Sequence, residues 1–364
     1  MQKLLVSEPS LTNFEEFSYL ARQVWESGIM THNGPKVQQL ERELKEKFDI
    51  KHLSLVTNGT IALELALRAL DLPIGSKIIT TPFTWIATAS AIQWQNYHPL
   101  FVDIDPHTLN IDPAKIEEVL DNEEGVSAIL AVHVFSNPCS VKEIAEIARK
   151  HNIKVIYDGA HSVGVKYKGR DLSEWGDITT HSYHATKIYN CGEGGSIICN
   201  DDGLAKRVER LRFFGHDDKK DIIHEGTNAK MHEISACIGL ANLKMLNKTI
   251  EHRRLINIMY KHHLEGAHVR FPIINKDEYN FSYFPVIFES EMDAILACEA
   301  LENVDVIARR YFYPSLNKWT DLYGNQPCPI SEDISRRILC LPCHDRVTVE
   351  DCRRIAAVIK AATK

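Results

Sequence analysis

Between residues 53 and 199, short apolar runs alternate with longer amphipathic ones. The runs at 53–56, 77–80, 100–102, 128–133, 154–157, 178–182 and 196–199 are short and rich in β-branched residues, the pattern of strands buried on both faces. Helical spacing fills the intervals at 60–70, 85–95, 113–120 and 141–151. Such alternation predicts an α/β domain around a largely parallel sheet, with ligands held at the carboxyl ends of the strands. From 228 to 264 the pattern is helical: Ile234, Ile238, Leu240, Leu243 and Leu246 recur at turn-like intervals. A strand around 281–288, an amphipathic helix over 291–302 and a last helix over 349–361 follow. These predict a smaller α+β domain, reached through a long helix near 242–262. The expected division is a large domain over 1–245, including an N-terminal helical segment, and a small domain over 246–364. The polar stretch 215–226 reads as a mobile loop.

Composition narrows the class of protein. With 364 residues, 44% of them hydrophobic, the chain can bury one large core or two. A net charge of -7 argues against a nucleic-acid scaffold, although total charge says little about one pocket. No apolar run reaches the roughly 20 residues of a membrane helix. The opening Met1-Gln-Lys-Leu-Leu-Val-Ser-Glu8 has too short an apolar stretch, and an acid too early, for a secretory signal. Nine scattered cysteines read as free thiols in a reducing cytoplasm. Cys340-Leu-Pro-Cys343 has the spacing of a metal or redox pair, but a zinc site usually carries a second tight pair and none is present. A strand running into a turn is the preferred reading there, and no metal is expected.

Candidate chemistry gathers at predicted strand ends. Thr57-Asn58-Gly59-Thr60 lies between a strand and a helix, where glycine and free N–H groups suit an anion; a plain helix cap is the alternative. Trp85 opens a helix and can stack on a planar ring or simply pack in the core. Asp158 ends a strand, where it can pair with a protonated pyridine nitrogen or cap a turn, and His161 follows three residues on. Ser182 ends another strand as a phosphate ligand or a turn hydroxyl. Lys187 sits between a hydroxyl-rich lead-in and the turn Gly192-Glu-Gly-Gly195. A lysine held in a pocket can form an imine with an aldehyde cofactor, while most single lysines are solvated. Each signal is weak alone. Together they supply every part that pyridoxal phosphate needs.

Ser182-Tyr-His-Ala-Thr-Lys187 with Gly192-Glu-Gly-Gly195 resembles the lysine motif of the DegT-type sugar-nucleotide aminotransferases. Thr31-His-Asn-Gly-Pro35, Asn58-Gly-Thr-Ile-Ala-Leu63, Pro82-Phe-Thr-Trp-Ile-Ala-Thr88, Asp158-Gly-Ala-His161 and Thr227-Asn-Ala-Lys-Met-His-Glu-Ile-Ser-Ala236 match further motifs in that family's order. The resemblance covers essentially the whole chain. It implies fold type I of the pyridoxal-phosphate transferases, with a mostly parallel seven-stranded sheet and a smaller C-terminal α+β domain. It also implies a homodimer with shared active sites. By position, Lys187 resembles the Schiff-base lysine and Asp158 the partner of the pyridine nitrogen. His161 would lie near the ring's 3-oxygen and Trp85 on the ring face. Gly59, Thr60 and Ser182 would hold the phosphate, with Asn58 beside them, and Asn228 would reach the neighbouring subunit's cofactor. Tyr183 stands where Phe is usual.

The implied reaction is transamination from L-glutamate to a nucleotide-linked keto sugar. The run His184-Ala-Thr-Lys187 and the segment Arg309-Arg-Tyr-Phe-Tyr-Pro314 look most like the branch that converts dTDP-4-keto-6-deoxyglucose to its 4-amino sugar for a surface polysaccharide. A 3-amination and a UDP- or GDP-linked sugar are the alternatives. Arg309, Arg310 and Tyr313 can contact the diphosphate or form a surface pair beside an aromatic; His184 can touch substrate or pack. A dehydratase on the same fold typically has histidine at the lysine position, and Lys187 argues against it. A non-enzymatic regulator would not need an intact lysine, acid and phosphate set. A dinucleotide-binding protein is disfavoured by the lack of G-x-G-x-x-G after the first strand.

Overall fold

All seven strand patterns enter one sheet. A computed structural model describes residues 3–11, 14–217, 219–274 and 279–363. Two helices, α1 (Phe14–Ser27) and α2 (Pro35–Phe48), precede the sheet. Its strands are β1 (Leu53–Val56), β2 (Lys77–Thr80), β3 (His98–Phe101), β4 (Val126–Val132), β5 (Lys154–Asp158), β6 (Ile178–Ser182) and β7 (Gly195–Cys199). Their spatial order is β1-β7-β6-β5-β4-β2-β3. Only β7 runs against its neighbours, pairing antiparallel with both β1 and β6. Residues 183–194, between β6 and β7, form turns and no helix, and β7 returns antiparallel beside β6. Strand β3 begins two residues before its apolar pattern because it contains Pro99, which a sheet tolerates at its edge.

Helices α3 (Gly59–Ala69), α4 (Ile86–Trp94), α5 (Pro113–Asn122) and α6 (Val141–His151) connect the strands. The Asn58 side chain caps α3 by accepting from the Ile61 N–H at 2.9 Å. After α7 (Asp202–Leu211) comes a departure from the helical pattern expected from 228 onward. Residues 228–232 are extended: Lys230 bridges to Val56, and the Thr57 N–H donates to the Ala229 carbonyl at 2.9 Å. Helix begins only at α8 (Glu233–Leu243). Among the described residues of 215–226, the Ile223 N–H donates to the Gly215 carbonyl at 3.0 Å.

Two buried acids hold β1 and its approach. Glu41 of α2 accepts from the Leu55 N–H at 2.9 Å and pairs with Arg212 at 2.6 Å, while Arg212 also donates to the Leu55 carbonyl. Glu233 accepts from the Lys36 and Val37 N–H groups, placing negative charge at the start of α2. Around them Leu40, Leu44, Leu55, Tyr189 and Leu240 are buried in one cluster, each aliphatic side chain contributing about 1.5–3 kcal/mol.

The C-terminal layer starts at α9 (Leu246–His263). It holds a three-stranded antiparallel sheet of β8 (Val269–Arg270), β9 (Phe284–Phe288) and β10 (Ile338–Leu341), with α10 (Glu291–Glu302), α11 (Pro329–Arg337) and α12 (Val349–Ala362). Strand β9 starts later than its apolar run because Phe281 sits in the left-handed region at φ 55°. Leu4–Leu5, from the other end of the chain, pairs in parallel with Val306–Ile307 of this layer. Cys340 and Cys343 are buried free thiols, and Cys343 accepts from the Asn257 amide at 3.4 Å. A core of Phe83, Val132 and Phe135 with Ile287, Phe312 and Cys340 joins the layer to the large sheet just above the strand ends.

Candidate active site

The carboxyl ends of β1, β2, β4, β5 and β6 open into one cavity of about 830 Å³. Asn58, Gly59, Thr60, Trp85, Asp158, His161, Ser182, His184 and Lys187 all border it. The loop after β6 pins Lys187. Tyr183 donates its N–H to Gly194, Ala185 to Gly192 and Lys187 to His184, at 2.7, 2.8 and 2.9 Å. Tyr183 is buried, and its hydroxyl donates to Ser196 Oγ at 2.7 Å, so the tyrosine in the place of phenylalanine has a polar partner on β7.

The start of α3 forms a close-fitting cradle. A Cβ on Gly59 would stand 2.8 Å from the Ser182 Cβ, and one on Gly195 would stand 2.7 Å from the Asn58 carbonyl. Only glycine lets the helix end, Ser182 and β7 approach this closely. The free N–H groups of a helix start, with the Thr60 and Ser182 hydroxyls on the same wall, make an anion site.

Asp158 ends β5 and is buried. Thr88 Oγ1 donates to its Oδ2 at 2.8 Å and the Ala160 N–H to its Oδ1 at 3.0 Å. Burial pushes its carboxyl above the usual range, while Thr88, the Ala160 N–H and the charge of Lys187 pull the other way. Burial lowers the Lys187 amine to about 8, against the opposing pull of Asp158. A lysine in that state is a nucleophile and a base near neutral pH. Burial, and then the charge of Lys187, holds the His161 imidazole well below its usual value. Its carbonyl accepts from Ser136 Oγ, Asn280 Nδ2 and Ser282 Oγ at 2.7, 2.8 and 3.0 Å. Its Nδ1 has no hydrogen-bond partner among the described residues, an orphan that calls for a ligand atom.

Trp85 does not pack in the core: 59% of it is exposed, on the cavity wall. The other expected contacts differ in placement. Asn228 is exposed, lies outside this chain's cavity and accepts from Lys230 Nζ at 2.5 Å. Arg309 and Tyr313 do not border the cavity either. Arg309 pairs through its backbone with Cys340, and the Tyr313 ring lies 3.6 Å from the Arg310 guanidinium. Arg310 is committed to Glu291 at 2.6 Å. From the same segment, Tyr311 and Phe312 reach the cavity instead, as do Thr84, Thr88, Glu64, Trp94 and Tyr283. Thr88 stood in a recognisable motif and Phe312 in the segment 309–314; Tyr283 carried no local signal, since only the C-terminal layer brings it to the strand ends. His184 borders the mouth, with Nδ1 2.8 Å from Thr186 Oγ1 and Nε2 3.7 Å from Glu193.

The chain is similar in sequence and in fold to known proteins. The chain is 37% identical over 367 residues to a dTDP-4-amino-4,6-dideoxy-D-glucose transaminase of Shigella dysenteriae, covering 98% of each protein. It is 36% identical over 355 residues to a transaminase of the same name from Escherichia coli, covering 95% of each. A crystal structure of DesI in the presence of its TDP-sugar product overlays with a TM-score of 0.94 at 29% identity, covering 100% of this chain and 94% of that one. The model of the DegT/DnrJ/EryC1/StrS aminotransferase family matches residues 12–360, and the chain belongs to that family.

Proposed function

We propose that the chain transfers an amino group from L-glutamate to dTDP-4-keto-6-deoxy-D-glucose, forming dTDP-4-amino-4,6-dideoxyglucose, with pyridoxal 5′-phosphate as cofactor. The observation that carries this reading is the pair at the strand ends: a half-buried lysine on the cavity wall with its amine lowered to about 8, and a buried carboxyl fixed by two hydrogen bonds. The fit to the cofactor rests on two further features: the Gly59–Ser182 cradle, which suits its phosphate, and the orphaned His161 Nδ1, which suits its phenolic oxygen. When bound, pyridoxal phosphate supplies the electron sink for the transfer. Gly59, Thr60 and Ser182 hold its phosphate, Trp85 covers a ring face, and Asp158 partners the ring nitrogen. Lys187 Nζ, lowered to about 8 and so uncharged in roughly a tenth of molecules at pH 7, takes the proton from the donor's α-carbon. In the second half of the cycle it returns a proton to the sugar carbon that becomes the amine carbon.

The reading includes a homodimer. Asn228 then serves the partner's site, in keeping with its exposed position outside its own cavity. It also includes a cytoplasmic location and a product destined for a surface polysaccharide. All nine thiols are free, as a reducing compartment would leave them. Among the described residues no helix is long and apolar enough to cross a membrane.

The test incubates the purified protein with glutamate and, separately, with dTDP-, UDP- and GDP-linked 4-keto-6-deoxy sugars, and follows amine formation by mass. Amination of the dTDP sugar at C4 is expected. Amination only of a UDP or GDP sugar, or at C3 of a dTDP-3-keto sugar, overturns the substrate. No uptake of pyridoxal phosphate overturns the whole reading.

A further inference from the structure

Two hydroxyls beneath Asp158 have a fixed proton order. Thr84 precedes α4 and Thr88 lies one turn into it; both are buried, with Thr88 fully enclosed. Their Oγ1 atoms are 2.9 Å apart, and Thr88 Oγ1 is 2.8 Å from Asp158 Oδ2. A hydroxyl carries one proton, and an ionised carboxylate only accepts. The Thr88 proton is therefore committed to Asp158, and Thr88 oxygen must accept from Thr84. The order Thr84 to Thr88 to Asp158 holds only while Asp158 is anionic.

The other oxygen, Oδ1, takes the Ala160 N–H at 3.0 Å. One donor on each oxygen sets the plane of the carboxylate. The titratable groups around it are Lys187 from the loop after β6, His161 from the loop after β5, His181 from β6 and His133 after β4. The His133 N–H donates to the Asp158 carbonyl at 3.1 Å. Burial lowers His133 to about 3 and His181 to about 4, and holds His161 well below its usual range. All three imidazoles are neutral at neutral pH. Of this group Lys187 alone carries charge, and with its amine at about 8 it is mostly protonated at pH 7. The Thr88 and Ala160 hydrogen bonds and the charge of Lys187 together support the ionised Asp158.

We propose that Thr88, backed by Thr84, is a positioning residue whose hydroxyl orients the Asp158 carboxylate and keeps it ionised toward the cofactor's ring nitrogen. Its purpose rests on the aminotransferase reading, but its effect on Asp158 does not.

The test compares Thr88→Val, Thr88→Ser and Thr84→Val with wild type, first as apo-proteins. Burial raises the folded pKa of Asp158 above its unfolded value, so this group costs stability as pH rises through that interval. Loss of the Thr88 donor raises the folded value further. The melting deficit of T88V should therefore deepen from pH 5 to pH 8, by several degrees, while T88S stays close to wild type. The pyridoxal phosphate dissociation constant of T88V should rise by about tenfold, the scale of one charge-assisted hydrogen bond. The acid limb of kcat for T88V should move to higher pH. T84V should shift each readout in the same direction by less, and it carries the test if T88V does not fold. A melting deficit equal at all pH values, with unchanged cofactor affinity and an unchanged acid limb, overturns the proposal. A wild type that takes up no pyridoxal phosphate sinks the aminotransferase reading instead, and the pH-dependent deficit of the apo-proteins still decides the role of Thr88.

Discussion

The two ends of the cavity are built differently. At the sheet end, Asp158 and Thr88 are enclosed, and they and the backbone of the Lys187 loop are held by hydrogen bonds from their own chain. At the open end, Trp85 and Trp94 are 59% and 77% exposed, and His184 and Glu193 face one another at a loose 3.7 Å. The closed end has low dielectric and fixed donors, the conditions that shift a lysine and hold an acid in place. The open end has rings and charges with few fixed neighbours, the conditions for meeting a large polar substrate. On the proposed function, the kind of reaction is set at one end and the choice of sugar falls to the other.

Lys187→Ala should break the closed end most severely, lowering amine formation by at least about 10³-fold. Mass-mapped peptides should lose the borohydride-stable attachment of pyridoxal phosphate at that position. Retained attachment at another lysine would dissolve the contrast between the two ends.

The next effect is one of pH. A free amine is needed for capture of the cofactor aldehyde, and burial places the Lys187 midpoint near 8 rather than 10.5. The stopped-flow rate of capture by the apo-protein should rise about tenfold per pH unit below that midpoint and level off above it. A rate still climbing at pH 10 would mean an ordinary solvated lysine.

Gly59→Ala should raise the pyridoxal phosphate dissociation constant by about tenfold, because the added Cβ must displace Ser182 from 2.8 Å. Equilibrium titration by absorbance reads this directly. The melting temperature should fall as well, since the clash is with a Cβ and not with a flexible tip.

Trp94→Ala, at the open end, should have the smallest effect. Cofactor affinity should stay within about twofold of wild type, while KM for the sugar nucleotide rises a few-fold, as expected for one exposed aromatic contact. A change in cofactor affinity as large as that of Gly59→Ala would show that the ends are not separable.

The closed end was readable because its parts lie in short local motifs. Asn58, Gly59 and Thr60 follow β1, Asp158 ends β5, and Ser182 and Lys187 flank the turn after β6; strand ends and glycine turns are local properties of a chain. Trp85 was legible as a ring, but not as an exposed one, because burial is not a local property. The extended run 228–232 was missed because Met231 lies three residues before Ile234 and so prolongs the helical spacing, although Ala229 and Met231 alternate as a strand does. Its hydrogen bonds to Thr57 and Val56 come from a strand far away in sequence. Arg309 and Tyr313 were sought at the cavity, whereas the adjacent Tyr311 and Phe312 reach it; Arg309 is tied to Cys340 and Tyr313 stacks on Arg310.

Periodicity and turn chemistry were enough to identify the α/β class, the strand ends and the residue types for an imine-forming lysine beside an acid and an anion cradle. These follow from the spacing of side chains along the backbone. Packing decided what spacing cannot express: a lysine lowered to about 8, a carboxylate braced by Thr88 and His161 clasped by Asn280 and Ser282. Each of these depends on burial and on partners distant along the chain, and both exist only once the layers have closed.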